Sequence, residues 1–128
     1  ETTQSKQDQT LDEKRLSQIK IQLTRLMEKK KLYLDPSLRL EDVAAKARIP
    51  SYLASQAIRF GLNKNFFTWL SEYRVEEVKM KLRSEKYKGA KIMDIAFESG
   101  FNTKSSFNTA FKKIVGLTPS QYRDKECS

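Results

Sequence analysis

The chain has 128 residues, with 25 Lys and Arg against 16 Asp and Glu, no His and one Cys. That length fits one domain, or two small ones sharing a core. Without His, and with Cys127 alone near the C-terminus, Ser–His–Asp and Cys–His nucleophile systems, His-bearing zinc sites and an internal disulfide are excluded. A carboxylate or Mg²⁺-dependent enzyme survives that cut, so catalysis is disfavoured, and no cofactor or metal is expected. The net charge of +9, with pI near 9.7, favours a polyanionic partner, either nucleic acid or an anionic membrane surface.

No apolar run approaches the roughly 20 residues a spanning helix needs. Glu1-Thr2-Thr3-Gln4-Ser5 has neither the basic nor the apolar region of a signal peptide. The polar start without Met leads us to expect a piece of a longer protein. A lone thiol fits a reducing compartment, so the expected location is cytoplasmic.

Only four Gly and three Pro punctuate the chain, and no stretch alternates with period two, so the expected class is all-α. Residues 1–10 read as a polar, frayed tail. Over 11–31, Leu16, Ile19, Leu23 and Leu26 form one helical stripe, with Lys29-Lys30-Lys31 at the end where cations suit the helix dipole. Asp35-Pro36-Ser37 breaks the chain. Next come a short helix from Leu40 to Ala47, a turn at Arg48-Ile49-Pro50-Ser51, and a helix to about Phe60. In that helix Ala54, Ala57 and Ile58 point inward and Gly61 is the C-cap. A long helix over 64–84 carries Phe67, Leu70, Val75, Val78 and Leu82 toward a core, flanked by Trp69 and Tyr73. After a polar link the short-helix pattern returns over Ile92–Ser99, with a turn at Gly100-Phe101-Asn102. Thr103 then caps a helix ending at Gly116, and Thr118-Pro119 opens a last helix.

The informative feature is a repeat. Leu40, Val43, Ala44, Ala47 and Ile49 match Ile92, Ile95, Ala96, Ser99 and Phe101 at an offset of 52. Ala54 and Ile58 match Phe107 and Phe111 at an offset of 53, and both segments finish in Gly-Leu. Each is a short helix, a tight turn and a second helix, which is the helix-turn-helix pattern. Ala44 and Ala96 supply the small side chain that two steeply crossing helices need. A linker of about 20 residues spans about 30 Å, and successive major grooves on one face of B-DNA lie about 34–36 Å apart. The alternative is a duplicated helical bundle that uses the spacing only for packing.

Residues 38–123 resemble the AraC/XylS family of transcription regulators. The resemblance is carried by Ile92-Met93-Asp94-Ile95-Ala96-Phe97-Glu98-Ser99-Gly100-Phe101, then Phe107, Ala110-Phe111-Lys112-Lys113 and Gly116-Leu117-Thr118-Pro119-Ser120-Gln121-Tyr122-Arg123. Leu40-Glu41-Asp42-Val43-Ala44 and Tyr73-Arg74-Val75 extend it through the first half. It implies an all-α fold of two helix-turn-helix subdomains (38–61 and 91–124) joined by the linker helix, with an extra N-terminal helix in 1–37. It further implies sequence-specific double-stranded DNA binding and transcriptional regulation, as an activator, with RNA polymerase as a partner. Such modules usually follow a sensor domain, and the Asn65-Phe66-Phe67 and Asn102–Asn108 wording resembles the subgroup tethered to membrane-embedded sensors.

In that family the second helix of each unit enters the major groove. The outward residues of the first unit are Ser51, Tyr52, Ser55, Gln56 and Arg59. Gln56 suits adenine, Ser55 meets several base edges, and Arg59 suits phosphate. In the second unit they are Thr103, Lys104, Ser105, Asn108, Thr109, Lys112 and Lys113. Asn108 and Lys104 suit bases, while Thr103, Lys112 and Lys113 suit phosphate. Three departures from the family stand out: a single cation in the first recognition helix, Ala54 in place of a large apolar residue, and Thr109 where many members have Arg. Trp69, Phe97, Phe101, Phe107 and Phe111 read as core.

The N-terminal helix has three readings: a linker packed on the first unit, a short coiled coil, or a membrane-surface helix. Asp12, Glu13 and Glu28 balance its cations, which argues against a membrane, and its stripe is short for a coiled coil. A packed linker is preferred, with no membrane contact by this segment. Against DNA binding stands a helical protein–protein interaction module. Glu41, Asp42, Asp94 and Glu98 sit at the starts and outer faces of short helices, as helix-end electrostatics requires, so they form no acidic catalytic centre. The charge excess is spread, with nine basic against six acidic residues in 1–39 and sixteen against ten in 40–128.

Overall fold

A computed structural model describes the backbone of residues 2–127 and the side chains of residues 12–126. Among these residues the chain forms seven α-helices and no strand. They are α1 (Thr2–Lys30), α2 (Leu40–Ala47), α3 (Ser51–Gln56), α4 (Phe66–Leu82), α5 (Ile92–Glu98), α6 (Lys104–Val115) and α7 (Pro119–Cys127). Two compact units divide the chain. One is Leu38–Trp69 with the chain up to Leu32, the other Tyr33–Ser37 with the chain from Leu70 onward.

In the first unit α1 packs on α2, α3 and the turn after α3, which is the packed-linker reading. It starts at Thr2 and not at residue 11, because no Gly or Pro interrupts the polar stretch. Glu1 lies outside the described residues. The buried seam is Ile19, Leu23 and Met27, with Leu16 and Leu26 only half-buried. A straight i, i+4 ridge meets the partner helices, so Met27 takes the place that the sequence stripe gave to Leu26. Gln22 Nε2 donates to the Ala47 carbonyl at 2.9 Å, fixing α1 to the end of α2. Val43, Ala44, Leu53, Ala54, Ala57 and Ile58 complete the core, and Ala44 is the small contact expected at the helix crossing.

Gly61 is not a C-cap. After Gln56 the helix widens into a π turn, Ala57–Gly61, and the left-handed residue that ends it is Asn63 at φ 57°. Gly61 is instead the residue against which α1 lies close: a Cβ there would sit 3.1 Å from Lys20 Cδ.

The linker helix is shorter than 64–84. Asn65 Oδ1 accepts from the Thr68 amide at 2.8 Å at its start, and beyond its end Ser84 opens a 3-10 turn, Glu85–Tyr87. Phe67 does not face a core. It is 77% exposed, whereas Trp69 is buried. Helix α4 serves the first unit as far as Trp69 and the second from Leu70, so no single stripe describes it, and Phe67 falls on the open side.

In the second unit Val75, Val78, Leu82, Ile95, Ala96, Phe101, Phe107, Phe111 and Tyr122 form the core. Ring centroids run 5.2 Å from Phe101 to Phe107, then 5.7 Å to Phe111 and 5.7 Å to Tyr122. Phe97 is a further correction: it is 48% exposed, and the buried residue at the end of α5 is Ser99, whose hydroxyl donates to the Ile95 carbonyl at 2.8 Å. With only Ile95 and Ala96 buried, the short α5 turns its next position outward. The predicted caps of the second half are present. Thr103 Oγ1 accepts from the Ser106 amide, Gly116 is left-handed at φ 87°, and Thr118 and Gln121 cap each other reciprocally across the first turn of α7.

Segment Tyr33–Ser37 is held to the second unit by charged side chains of α4. Arg74 Nε donates to the Tyr33 carbonyl and Nη2 to the Asp35 carbonyl, both at 2.7 Å. The Tyr33 hydroxyl donates to Glu77 at 2.9 Å, Lys81 lies 3.5 Å from the same carboxylate, and Lys81 also donates to Ser99 at 3.3 Å. Burial pulls the Arg74 guanidinium below its ordinary pKa, and Asp35 partly offsets it.

Candidate nucleic-acid interface

The second helix of each unit must keep one face in its unit's core and leave the other free. In α3, Leu53 and Ala54 are buried, and Ala57 and Ile58 continue that face into the π turn. This turns Ser51, Tyr52, Ser55 and Gln56 the other way. Tyr52 is 65% exposed, Gln56 is exposed, and Ser51 and Ser55 are half-buried. In α6, Phe107 and Phe111 are buried, and Lys104, Ser105, Asn108, Thr109, Lys112 and Lys113 are exposed.

The two faces correspond residue by residue. At the offset of 53, Ser51 matches Lys104, Tyr52 matches Ser105, Ser55 matches Asn108 and Gln56 matches Thr109. Both sets follow an i, i+1, i+4, i+5 progression, which is one helical face. Arg59 would match Lys112, but it lies in the π turn, where wider spacing shifts it off the register of an α-helix. Its neighbour Phe60 is 70% exposed, a feature sequence reasoning passed over.

Two of the expected phosphate contacts already have partners. Thr103 Oγ1 caps α6 and donates to Ser106 Oγ at 2.9 Å, and Lys112 Nζ donates to the Gly116 carbonyl at 3.2 Å. Lys104 and Lys113 have no such tie among the described residues. The second face therefore presents three lysines and the first a single arginine, all exposed.

Among the described residues no cluster of His, Cys, Asp or Glu could hold a metal ion, and no helix is long and apolar enough to cross a membrane. The Cys127 side chain lies outside the described residues.

A family model described as a helix-turn-helix domain matches residues 43–125. The chain belongs to the AraC family of helix-turn-helix transcription regulators. The chain is 30% identical over 89 residues to the melibiose operon regulatory protein of Escherichia coli (strain K12), covering 70% of the chain but 28% of that protein. It is 31% identical over 90 residues to the transposon Tn10 TetD protein of Escherichia coli, covering 70% of the chain and 63% of that relative. Among solved structures, the C-terminal domain of AraT, a response regulator from Geobacillus stearothermophilus, superposes with a TM-score of 0.68 at 30% identity, covering 81% of this chain and 84% of that one. A DNA-binding transcriptional dual regulator from Escherichia coli K-12 reaches a TM-score of 0.70 at 16% identity, covering 85% and 92%, which shows the shared fold alone. This AraC-family chain thus spans less than two thirds of the length of each curated relative named here, and little more than a quarter of the melibiose regulator.

Proposed function

We propose that this AraC-family chain binds double-stranded DNA sequence-specifically and regulates transcription, with α3 and α6 each entering a major groove and the two grooves adjacent on one duplex. The observation that carries the reading is the pair of exposed helix faces repeated at an offset of 53, in a family whose relatives bear names such as operon regulatory protein. In this reading Gln56 and Asn108 pair with adenine edges, and Ser55, Lys104, Ser105 and Thr109 meet bases. Ser51, Tyr52, Arg59, Thr103, Lys112 and Lys113 hold the backbone and fix the register. The full protein works in the cytoplasm, or tethered at its inner boundary, with a sensor domain before this one and RNA polymerase as its target.

The test is fluorescence anisotropy on a labelled duplex from the protein's own upstream region, titrated with salt. A steep negative slope of log affinity against log salt, with preference over random duplex, is expected. A flat slope without preference sinks the reading. The rival, a protein-interaction module, draws support from Phe60 and Phe67, which stand 70% and 77% exposed. It requires that Gln56→Ala and Asn108→Ala leave transcriptional output unchanged.

A further inference from the structure

Helix α1 and the end of α2 enclose a groove of about 360 Å³ within the first unit. That volume lies in the range of sites that bury a ligand's side groups. Its lining includes apolar side chains, with Ile21 52% exposed, Leu26 half-buried and Ala47 buried, and the side-chain amides of Gln18 and Gln22. The lining also carries Arg25, Lys29 and Lys30 from α1 and Lys46 from α2, and no acidic residue. None of these four cations has an ion-pair or side-chain hydrogen-bond partner among the described residues.

This arrangement is unfavourable for the chain by itself. Arg25 and Lys29 stand one turn apart on α1, a like-charge spacing that weakens a helix, and an exposed Ile on the same wall gains nothing from water. Both costs are relieved by one kind of occupant. We infer that the groove docks an acidic amphipathic helix of a protein partner, with an apolar side chain seated over Ile21 and Leu26 and carboxylates on its flanks facing the four cations. Helix-in-groove recognition joins an apolar anchor to a charged border in this way. A duplex backbone would use the cations but not the apolar side chains of Ile21 and Leu26, so a peptide fits better than phosphate. The α1 wall also lies outside residues 43–125, the part shared with the helix-turn-helix family.

The probe is a fluorescein-labelled synthetic helix of Glu and Leu at amphipathic spacing, titrated into the whole chain by anisotropy. Two control peptides replace Glu by Lys, or Leu by Ser. The Glu/Leu peptide is expected to bind at least about tenfold tighter than either control, since several rim pairs act together with the apolar anchor. The double variant R25E/K46E should lose that advantage while leaving duplex affinity within about twofold. Titrating the natural chain by methyl NMR, with shifts expected at Ile21 and Leu26, reads the same contact without any variant. The proposal is overturned by absent binding, by equal binding of the three peptides, by shifts elsewhere only, or by R25E/K46E weakening duplex and peptide alike. That last result would place the groove in a DNA footprint. Failure of the natural chain to bind any duplex would sink the DNA reading and leave this one standing on the peptide titrations.

Discussion

Arg48 and Gly100 occupy the same place in the two repeats, 52 residues apart, and both hold the left-handed backbone that ends the first helix of the unit, at φ 60° and φ 106°. At Arg48 the turn is closed by the Arg48 amide on the Ala45 carbonyl at 3.1 Å and the Ile49 amide on the Ala44 carbonyl at 3.0 Å. At Gly100 the same conformation is combined with crowding. A Cβ there would collide with the Tyr33 carbonyl oxygen and lie 2.6 Å from Arg74 Nε. One repeat position therefore tolerates a side chain and the other does not.

Substitutions should separate these two conditions. Gly100→Ala is expected to destabilise by about 3 kcal/mol or more, since it adds backbone strain to a clash with fixed backbone. Arg48→Gly should stabilise by up to about 1 kcal/mol, because relief of the left-handed penalty exceeds the entropy glycine adds to the unfolded chain. Urea denaturation of the two variants reads both. A neutral Gly100→Ala would contradict the packing described.

Arg74 offers a second test. It holds two main-chain carbonyls of the Tyr33–Ser37 segment, and its charge is costly to bury, as its lowered pKa reflects. Arg74→Met should cost about 2–3 kcal/mol by leaving those carbonyls without their charged donor. Loss of amide-exchange protection should concentrate in the second unit. Uniform loss along the chain, or none, would count against the role given to this side chain.

The inner faces of α3 and α6 should not be interchangeable. Phe107 is fully buried against Phe101 and Phe111, and Phe107→Ala is expected to cost about 3–5 kcal/mol. Ala54, its repeat counterpart, is equally buried beneath α1, so Ala54→Phe should overpack the first unit and cost about 1–3 kcal/mol. Thermal melts decide both, and a gain in stability from Ala54→Phe would overturn the comparison.

On DNA, the two kinds of contact should part in their signatures. Asn108→Ala is expected to cost about 1–3 kcal/mol on a preferred site and relax the sequence preference at one position. Lys113→Ala should weaken all duplexes alike and lower the salt slope by about 1. Anisotropy on preferred and random duplexes across a salt series measures both.

Much of this was legible in the residue order because local chemistry and the repeat agree. Thr103, Gly116 and the Thr118–Gln121 pair mark helix ends by hydrogen bonds within a few residues, and periodicity alone places Val75, Val78, Phe107 and Phe111 inside. What escaped depends on neighbours distant in sequence. Phe67 and Phe97 are large apolar residues beside buried stripes, and only the packing shows that they stay exposed. Arg74, Glu77 and Lys81 share the buried side of α4 with Val75 and Val78, and no residue near them in sequence points to Tyr33 and Ser99 as their partners. On the candidate interface the repeat identified the faces, but not the π turn that displaces Arg59.

Whether two helices read one duplex is decided by selection from a randomised duplex library. Two helices in adjacent major grooves should enrich a site with two conserved blocks about 10 base pairs apart, centre to centre. Gln56→Ala should relax one block and Asn108→Ala the other. No enrichment over random sequence, or enriched sites on which neither substitution changes either block, would contradict it.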